Sequence, residues 1–406
     1  MAASDTDARI LVSTHGTHIH LLSLPPAPST DLRLVSSLKL DQQPSYSLPH
    51  PHIPNLIYVS AWIPDMIFLV QLRGDELVKV GETKAGGGGP TYFVMTPDRK
   101  SLLVANYRSG HLTRISIDPV TGHFDHPAPP AKDVLQLPSN PTGSPRARRF
   151  EVRQDSAHAH QIIPIPGDDD KEEYLVCDLG SDKIYVVTYT EGDGWKIVSC
   201  YETVAGYGPR HAVIRSASRT EEGPLVFIVN ELASIVTTHQ ILRGDGPTRL
   251  SPPIFPDQST LPSKKLDLKS YTPEGPMETI ACAILLTPSE DQLIVTNRNL
   301  PTEISPELDP WVSFDLDPVT GQVLASEKTE AARWTFGAGR HLRGIGLEGH
   351  RDREKGGKRL LIASREGDGF TLYEQKEQGA AGWEELARGL LKEEKTIEFP
   401  LAVDWL

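Results

Sequence analysis

The sequence predicts an all-β protein in which one structural unit recurs seven times. Three observations carry this. A short apolar run ending in a small polar residue appears again and again, each copy is strand-length, and no copy carries a sustained i, i+3, i+4 helical stripe. The unit is clearest in GPRHAVIRSASRTEEGPLVFIVNELASIVTTHQI, from Gly208 to Ile241. A turn with an arginine opens into a first strand (Ala212 to Ile214). A second strand, Leu225 to Val229, stops at Asn230, and a third strand follows a kink after Glu231.

The second strand marks the repeat along the chain. It reads ILVSTHGTHIHLL at Thr14, LIYVSAWIPDMIFLV at Ser60, LLVANYRSGHLTRI at Asn106 and YLVCDLGSDKIYVV at Asp178. It returns as VFIVNELASIVTTH at Asn230, LIVTNRNLP at Asn297 and LLIASREGDGFTLY at Ser364. The spacing, roughly 45 to 70 residues, suits propeller blades with insertions. The expected fold is therefore a seven-bladed β-propeller occupying residues 1–406 as a single domain. FPLAVDWL at the C-terminus reads as the first strand of the blade begun at the N-terminus, which would close the ring by pairing the two ends.

In chain order, Arg9 to Leu22 and LRLVSSLKL supply blade one, and a loop with His50 and His52 leads to blade two. The glycine run Gly86 to Gly89 lacks the helix start, Lys and Ser/Thr of a phosphate loop and reads as a flexible turn. DPVTG occurs at Asp118 and again at Asp317, both type I turn signals. Two Pro-rich insertions, near 127–153 and 243–265, read as surface loops, with a lid or subunit contact as the sharper alternative for the first. Gln375 to Lys395 fits either a short amphipathic helix or an extended outer hairpin.

The formal net charge is −13, with no basic tract, which argues against nucleic acid and anionic membranes as partners. No signal peptide and no membrane span is read, so the expectation is a cytoplasmic protein. Cys177, Cys200 and Cys282 read as reduced core thiols.

Aligning the seven strands places the residue after each polar stop in one ring: His15, Ala61, Tyr107, Leu179, Glu231, Arg298 and Arg365. The turn entering each blade adds a second ring, with His160, Arg210 and either Arg340 or Arg343. Arginines, histidines and a glutamate thus gather in an acidic chain, a set suited to binding carboxylate or phosphate. Solvation of a wet channel is the bland explanation of the same residues. His158 and His160, two apart, would face one way on a strand, but no carboxylate or cysteine cluster accompanies them, and no metal site is expected. His160 suits acid–base work. Glu231 beside arginines is either a structural ion pair or an ionised base.

HAHQIIPIP, VCDLGSDKIYVV, GPRHAVI, IVNELAS and VTNRN give the chain a resemblance, over essentially its whole length, to the seven-bladed propeller lactonases. That family includes bacterial-type 6-phosphogluconolactonase and fungal 3-carboxy-cis,cis-muconate cyclase. The resemblance implies a catalytic set of His160, Arg210, Glu231 and Arg298, with no metal and no cofactor. METIACAILLTP lacks the Ala-Asp pair that family members carry there. The implied substrate is a small anionic organic acid or its lactone. Arg210 and Arg298 would hold carboxylates and steady developing negative charge, His160 and Glu231 would move protons, and Arg343, Arg365, Tyr107 and His15 would line the substrate. Muconate-type lactonising cycloisomerisation is the first expectation. Lactone hydrolysis, ring closure in a larger metabolite, and a non-catalytic protein-binding scaffold using Arg146, Arg148 and Arg149 are the alternatives.

Overall fold

The computed structural model of the chain describes residues 7–40, 43–139, 153–167, 172–215, 223–244, 246–261, 280–298, 308–324, 332–349, 358–365, 369–376, 382–394 and 397–406. Arg146, Arg148 and Arg149 lie outside them. The described residues build seven antiparallel sheets, six of four strands and one of five, with a single 3-10 turn at Ala131–Asp133. They fall into two compact units.

One unit comprises Met1–Asp41, Ser234–Val236 and Asp257–Leu406. It holds sheet I (Pro400–Trp405, Ala8–Thr14, His18–Leu24, Arg33–Lys39), sheet VI (Ile280–Leu286, Gln292–Arg298, Pro310–Asp315, Ala332–Phe336) and sheet VII (Leu342–Leu347, Arg359–Ser364, Phe370–Gln375, Trp383–Leu390). The C-terminal strand pairs with the N-terminal one, Ile10 opposite Trp405 and Val12 opposite Val403, so Ala8–Thr14 has a partner on both sides in sheet I. Alternation along these strands turns Ile10, Val12 and Leu22 toward Leu361, Phe370 and Leu372, all fully buried. Each such side chain contributes about 2 kcal/mol of burial.

The other unit comprises Gln42–Ala233 and Thr237–Pro256. Its sheets are II (Pro44–Pro49, Leu56–Ala61, Met66–Arg73, Glu76–Lys84), III (Pro90–Met95, Ser101–Asn106, His111–Ser116, Val134–Gln136), IV (Ala159–Pro164, Glu173–Asp178, Lys183–Thr190, Gly194–Glu202) and V, built on Pro209–Arg215, Leu225–Asn230, Ile235–Leu242 and Arg249–Leu250. Leu103, Ala105 and Leu112 of sheet III pack against Ile162, Tyr174 and Val176 of sheet IV, and Leu175 and Val186 of sheet IV pack against Val226 and Ile228 of sheet V.

In sheets III, IV and V the polar residue that ends the second strand closes the turn behind it. Asn106 Nδ2 donates to Thr113 Oγ1 at 3.0 Å and Asn230 Nδ2 to Thr237 Oγ1 at 3.1 Å. Asp178 Oδ1 accepts from the backbone N–H of His158, Gly180 and Ser181 at 2.7, 3.1 and 3.2 Å. A second device ties one sheet to the next. The aspartate just before a third strand accepts the N–H of a left-handed residue that opens the following sheet: Asp65 takes Gly89 at 2.7 Å and Asp182 takes Gly208 at 2.8 Å. In the other unit, Asp309 takes His341 at 2.6 Å. Gly89, Gly208 and His341 have φ of 67, 62 and 54°, a region that costs a residue with a Cβ about 1–2 kcal/mol.

Some expectations change and one open choice is decided. Val134–Gln136, inside the first insertion, is the fourth strand of sheet III, and Arg249–Leu250, inside the second, is the fourth strand of sheet V, since each supplies backbone partners to an outer strand. Within Gln375 to Lys395 the chain forms the strand Trp383–Leu390. Cys200 is exposed on the outer strand of sheet IV, whereas Cys177 and Cys282 are buried. The glycine run is packed rather than loose: Gly88 N–H reaches Ser109 Oγ at 2.8 Å. Both DPVTG turns form, Asp118 and Asp317 each accepting two backbone N–H bonds.

Candidate functional site

Every sheet enters by the same irregularity. The first strand pairs with the polar stop of the second, skips one residue, and resumes pairing. Pro209 lies opposite Asn230 and His211 opposite Val229, so Arg210 is the extra residue of a β-bulge. Ala159 lies opposite Asp178 and Gln161 opposite Cys177, leaving His160 extra. Leu342 lies opposite Ser364 and Gly344 opposite Ala363, leaving Arg343 extra. The corresponding residues are Ser45 in sheet II and Thr91 in sheet III. A bulge re-aims one side chain without disturbing the ladder beyond it. This decides between the two arginines of GAGRHLRG: Arg343 is the equivalent of His160 and Arg210. The bulge also corrects the same-face expectation for His158 and His160, since period-two alternation fails across an extra residue and His158 precedes the strand.

The residue after each polar stop has its own backbone signature, an N–H donated to the residue that precedes the first strand. Tyr107 donates to Gly89 O at 2.8 Å, Leu179 to His158 O at 3.1 Å, Glu231 to Gly208 O at 2.8 Å and His15 to Phe399 O at 2.9 Å. In sheet II the donor is Trp62, to Gln43 O at 2.8 Å, and Ala61 pairs with Pro44. The position assigned to Ala61 therefore belongs to Trp62. Choosing Ser60 as the stop shifted that strand by one residue; alignment on the aspartates Asp65 and Asp182 gives the right register.

In the unit holding sheets II–V, Glu231 is the centre of a charged cluster. Its side chain is fully buried. Arg210 Nε lies 2.6 Å from Oε2, and Arg153 Nη2 bonds Oε1. Arg153 also donates from Nε to the Tyr107 hydroxyl at 3.0 Å. Burial by itself would lower the pKa of the Arg153 guanidinium, but Glu231 and Tyr107 outweigh it and raise it above the ordinary arginine value. Next to this cluster Tyr107 stacks on His158 with ring centres 4.6 Å apart and meets the edge of His160 at 5.3 Å. His160 meets His211 at 4.9 Å, and Arg210 Nη1 lies 3.1 Å from His211 Nδ1. Trp62 approaches Tyr107 at 5.6 Å. His158 is a structural residue, with Nδ1 2.8 Å from Tyr107 O and Nε2 2.7 Å from Asp155 Oδ1. His160, Arg210, Glu231 and Tyr107 are thus brought together. Arg153 was missed because it comes from the insertion, where no repeat predicts a role.

The unit holding sheets I, VI and VII carries a cationic cluster. Arg298, which ends its strand, is buried; Arg365 packs its guanidinium 5.1 Å from the centre of the Phe399 ring and places Nη1 3.4 Å from His341 Nε2. Burial first, then Arg343, Arg365 and Arg298, lower the pKa of His15 to about 4. Burial first, then the same arginines and His15, lower that of His341 to about 2. Both imidazoles are therefore neutral acceptors or donors in a positive field at neutral pH, an arrangement suited to an anion. Arg298, grouped by the sequence with His160, Arg210 and Glu231, acts here on the same two imidazoles as Arg343 and Arg365, while Tyr107, grouped with Arg343, Arg365 and His15, belongs to the cluster of Glu231. His341 is an addition, legible only once it is seen to occupy the left-handed position that glycine fills in sheets III and V. Among the described residues no three His, Cys, Asp or Glu side chains converge as a metal-holding group, and no helix is long and apolar enough to cross a membrane.

The profile of a family described as "Lactonase, 7-bladed beta-propeller" matches residues 13–379. A protein from Arthroderma benhamiae named "Probable 6-phosphogluconolactonase" is 24% identical over 253 residues, 62% of this chain and 56% of that protein, so the match spans little more than half of the relative's length. The periplasmic gluconolactonase PpgL of Pseudomonas aeruginosa superposes with a TM-score of 0.73 at 18% identity, covering 99% of each chain. A protein from Lactobacillus plantarum superposes with a TM-score of 0.70 at 21% identity, covering 99% of this chain and 100% of that one. At these identities the likeness concerns the fold.

Proposed function

The chain belongs to the lactonase family of seven-bladed β-propellers, and we propose that it hydrolyses the lactone of a small anionic acid without a metal or cofactor. The observation that carries this reading is the pair of bulges in successive sheets IV and V. They aim an imidazole, His160, and a guanidinium, Arg210, into one cluster in which a fully buried carboxylate, Glu231, is held between two arginines. Arg210 polarises the lactone carbonyl and stabilises the oxyanion that forms as water attacks. His160 receives the proton of that water. Arg298, Arg343, Arg365 and His15, with the neutral His341, are assigned to recognition of an anionic group.

Hydrolysis takes precedence over the muconate-type cyclisation first expected, because both named relatives that carry an activity in their names are lactonases. Cyclisation remains the second reading, supported by the His160, Arg210, Glu231 and Arg298 set. The test is turnover of 6-phosphogluconolactone, gluconolactone and carboxymuconate after treatment with a chelator. Hydrolysis of a lactone, reduced at least about a hundredfold by His160→Ala and by a similar factor in Arg210→Ala, is the expected result. Turnover of carboxymuconate alone would replace hydrolysis by cyclisation. A folded wild-type protein that turns over none of the three sinks both readings.

A further inference from the structure

Glu231 is poorly placed to act as a base. It is fully buried, so it does not meet substrate directly, and each carboxylate oxygen faces a guanidinium. Protonating a carboxylate held between two positive charges would leave both charges uncompensated in the interior, which is strongly disfavoured. Tyr107 is placed differently. Its ring is only half-buried, fixed by the stack on His158 and the approach of Trp62, and it meets the edge of His160. Its oxygen accepts the Arg153 Nε–H at 3.0 Å. An oxygen that accepts a charge-assisted bond in this way has its own O–H directed elsewhere, and the same bond steadies the phenolate when that proton leaves.

We propose that Arg153 is a positioning residue, forked between Glu231 and Tyr107, and that Tyr107 rather than Glu231 is the group that exchanges a proton with substrate alongside His160. In lactone hydrolysis the oxygen of water bonds to the carbonyl carbon as its proton passes to His160. The ring C–O bond then breaks and the Tyr107 hydroxyl protonates the departing oxygen. The imidazolium of His160 returns a proton to the Tyr107 phenolate, and the product leaves as the open hydroxy acid. Water is consumed, no electrons change hands, and both residues end as they began. The fork explains why an arginine is required: Nε and Nη2 reach two different partners, whereas the single ammonium of lysine is a point charge.

The kinetic half of this proposal rests on the lactone reading, and the spectroscopic half does not. Protein carrying [ζ-13C]tyrosine, with the Tyr107 signal identified by its loss in Tyr107→Phe, is titrated into the alkaline range as wild type, Arg153→Gln and Arg153→Lys. The expected result is that Arg153→Gln moves the Tyr107 ionisation to higher pH while the other tyrosine signals stay in place. Arg153→Lys keeps a cation beside Glu231 and guards against misfolding; it also moves the Tyr107 signal. An unmoved Tyr107 signal in both variants overturns the fork. With 6-phosphogluconolactone, Tyr107→Phe is expected to lower kcat at least about a hundredfold with KM changed less than about threefold, and Arg153→Lys to lower kcat in the same sense. A Tyr107→Phe protein that keeps its kcat while Glu231→Gln abolishes it restores Glu231 as the proton-transfer group and overturns the proposal. Absence of wild-type turnover on every lactone refutes the lactone reading, and the tyrosine titration then decides the fork by itself.

Discussion

The neutral histidines of the cationic cluster make a quantitative prediction about acid stability. In the unfolded chain both His15 and His341 titrate near 6.5, whereas in the folded protein burial and the arginines hold them at about 4 and about 2. A histidine whose folded pKa is depressed stabilises the fold above its unfolded value. That contribution drains away as pH falls from 6.5, because the unfolded state takes up the proton first. The window runs from 6.5 to about 4 for His15 and continues to lower pH for His341. Lowering the pH from about 7 to about 5 therefore costs up to about 2 kcal/mol for each histidine by linkage. His15 is only half-buried and solvent screening halves its effect at least, so the pair together is worth up to about 3 kcal/mol. The perturbation is the double variant His15→Asn, His341→Gly, in which glycine suits the left-handed backbone at that position. Urea unfolding of both proteins at the two pH values, at one ionic strength and in a buffer without phosphate or carboxylate, isolates the difference. All other titrating groups cancel in the comparison. Wild type should lose up to about 3 kcal/mol more than the variant on acidification. Equal losses would refute the assignment of both imidazoles to a positive, buried environment.

Two further outcomes test the frame of the sites. Asp182 accepts the N–H of Gly206 at 2.7 Å and of Gly208 at 2.8 Å, two residues before Arg210. Asp182→Ala should cost about 1–3 kcal/mol in chemical unfolding, with Asp182→Asn recovering part of it; a loss within experimental error would show that Gly208 needs no such anchor. Among the thiols, Cys200 is exposed, with its pKa raised to about 11 mainly by partial burial, while Cys177 and Cys282 are buried. A thiol-specific reagent should therefore label one site in the native protein, slowly at neutral pH and faster in alkali. Labelling of native Cys200→Ser would contradict this.

The sequence alone determined what depends on local chemistry. Alternation and strand-length apolar runs announce strands wherever they occur, because a side chain on a strand faces core or solvent by its parity alone. The recurring strand ends announce seven sheets, and where the last residue is polar it closes the turn beside it, as Asn106 and Asn230 do through Thr113 and Thr237. The paired termini were legible for the same reason: a terminal strand without its neighbours needs a partner, and FPLAVDWL found Ala8–Thr14. The residue types of the site were also legible, because Glu231, Arg298 and Arg365 each follow a polar stop and His160, Arg210 and either Arg340 or Arg343 stand in the turns that enter a blade.

Only the tertiary structure decided what depends on one extra residue or on distant pairing. A bulge leaves no period in the sequence, so His160, Arg210 and Arg343 became equivalent only through their ladder registers. The choice of Trp62 over Ala61 turned on a single backbone bond to Gln43. Arg153 reaches Glu231 over a sequence separation of 78 and Tyr107 over one of 46. No spacing rule encodes such contacts, because they arise from how packed sheets bring an inserted segment back onto the repeat. For the same reason the sequence offered Glu231 two roles, ion pair or base, and burial between two guanidinium groups weighs for the first.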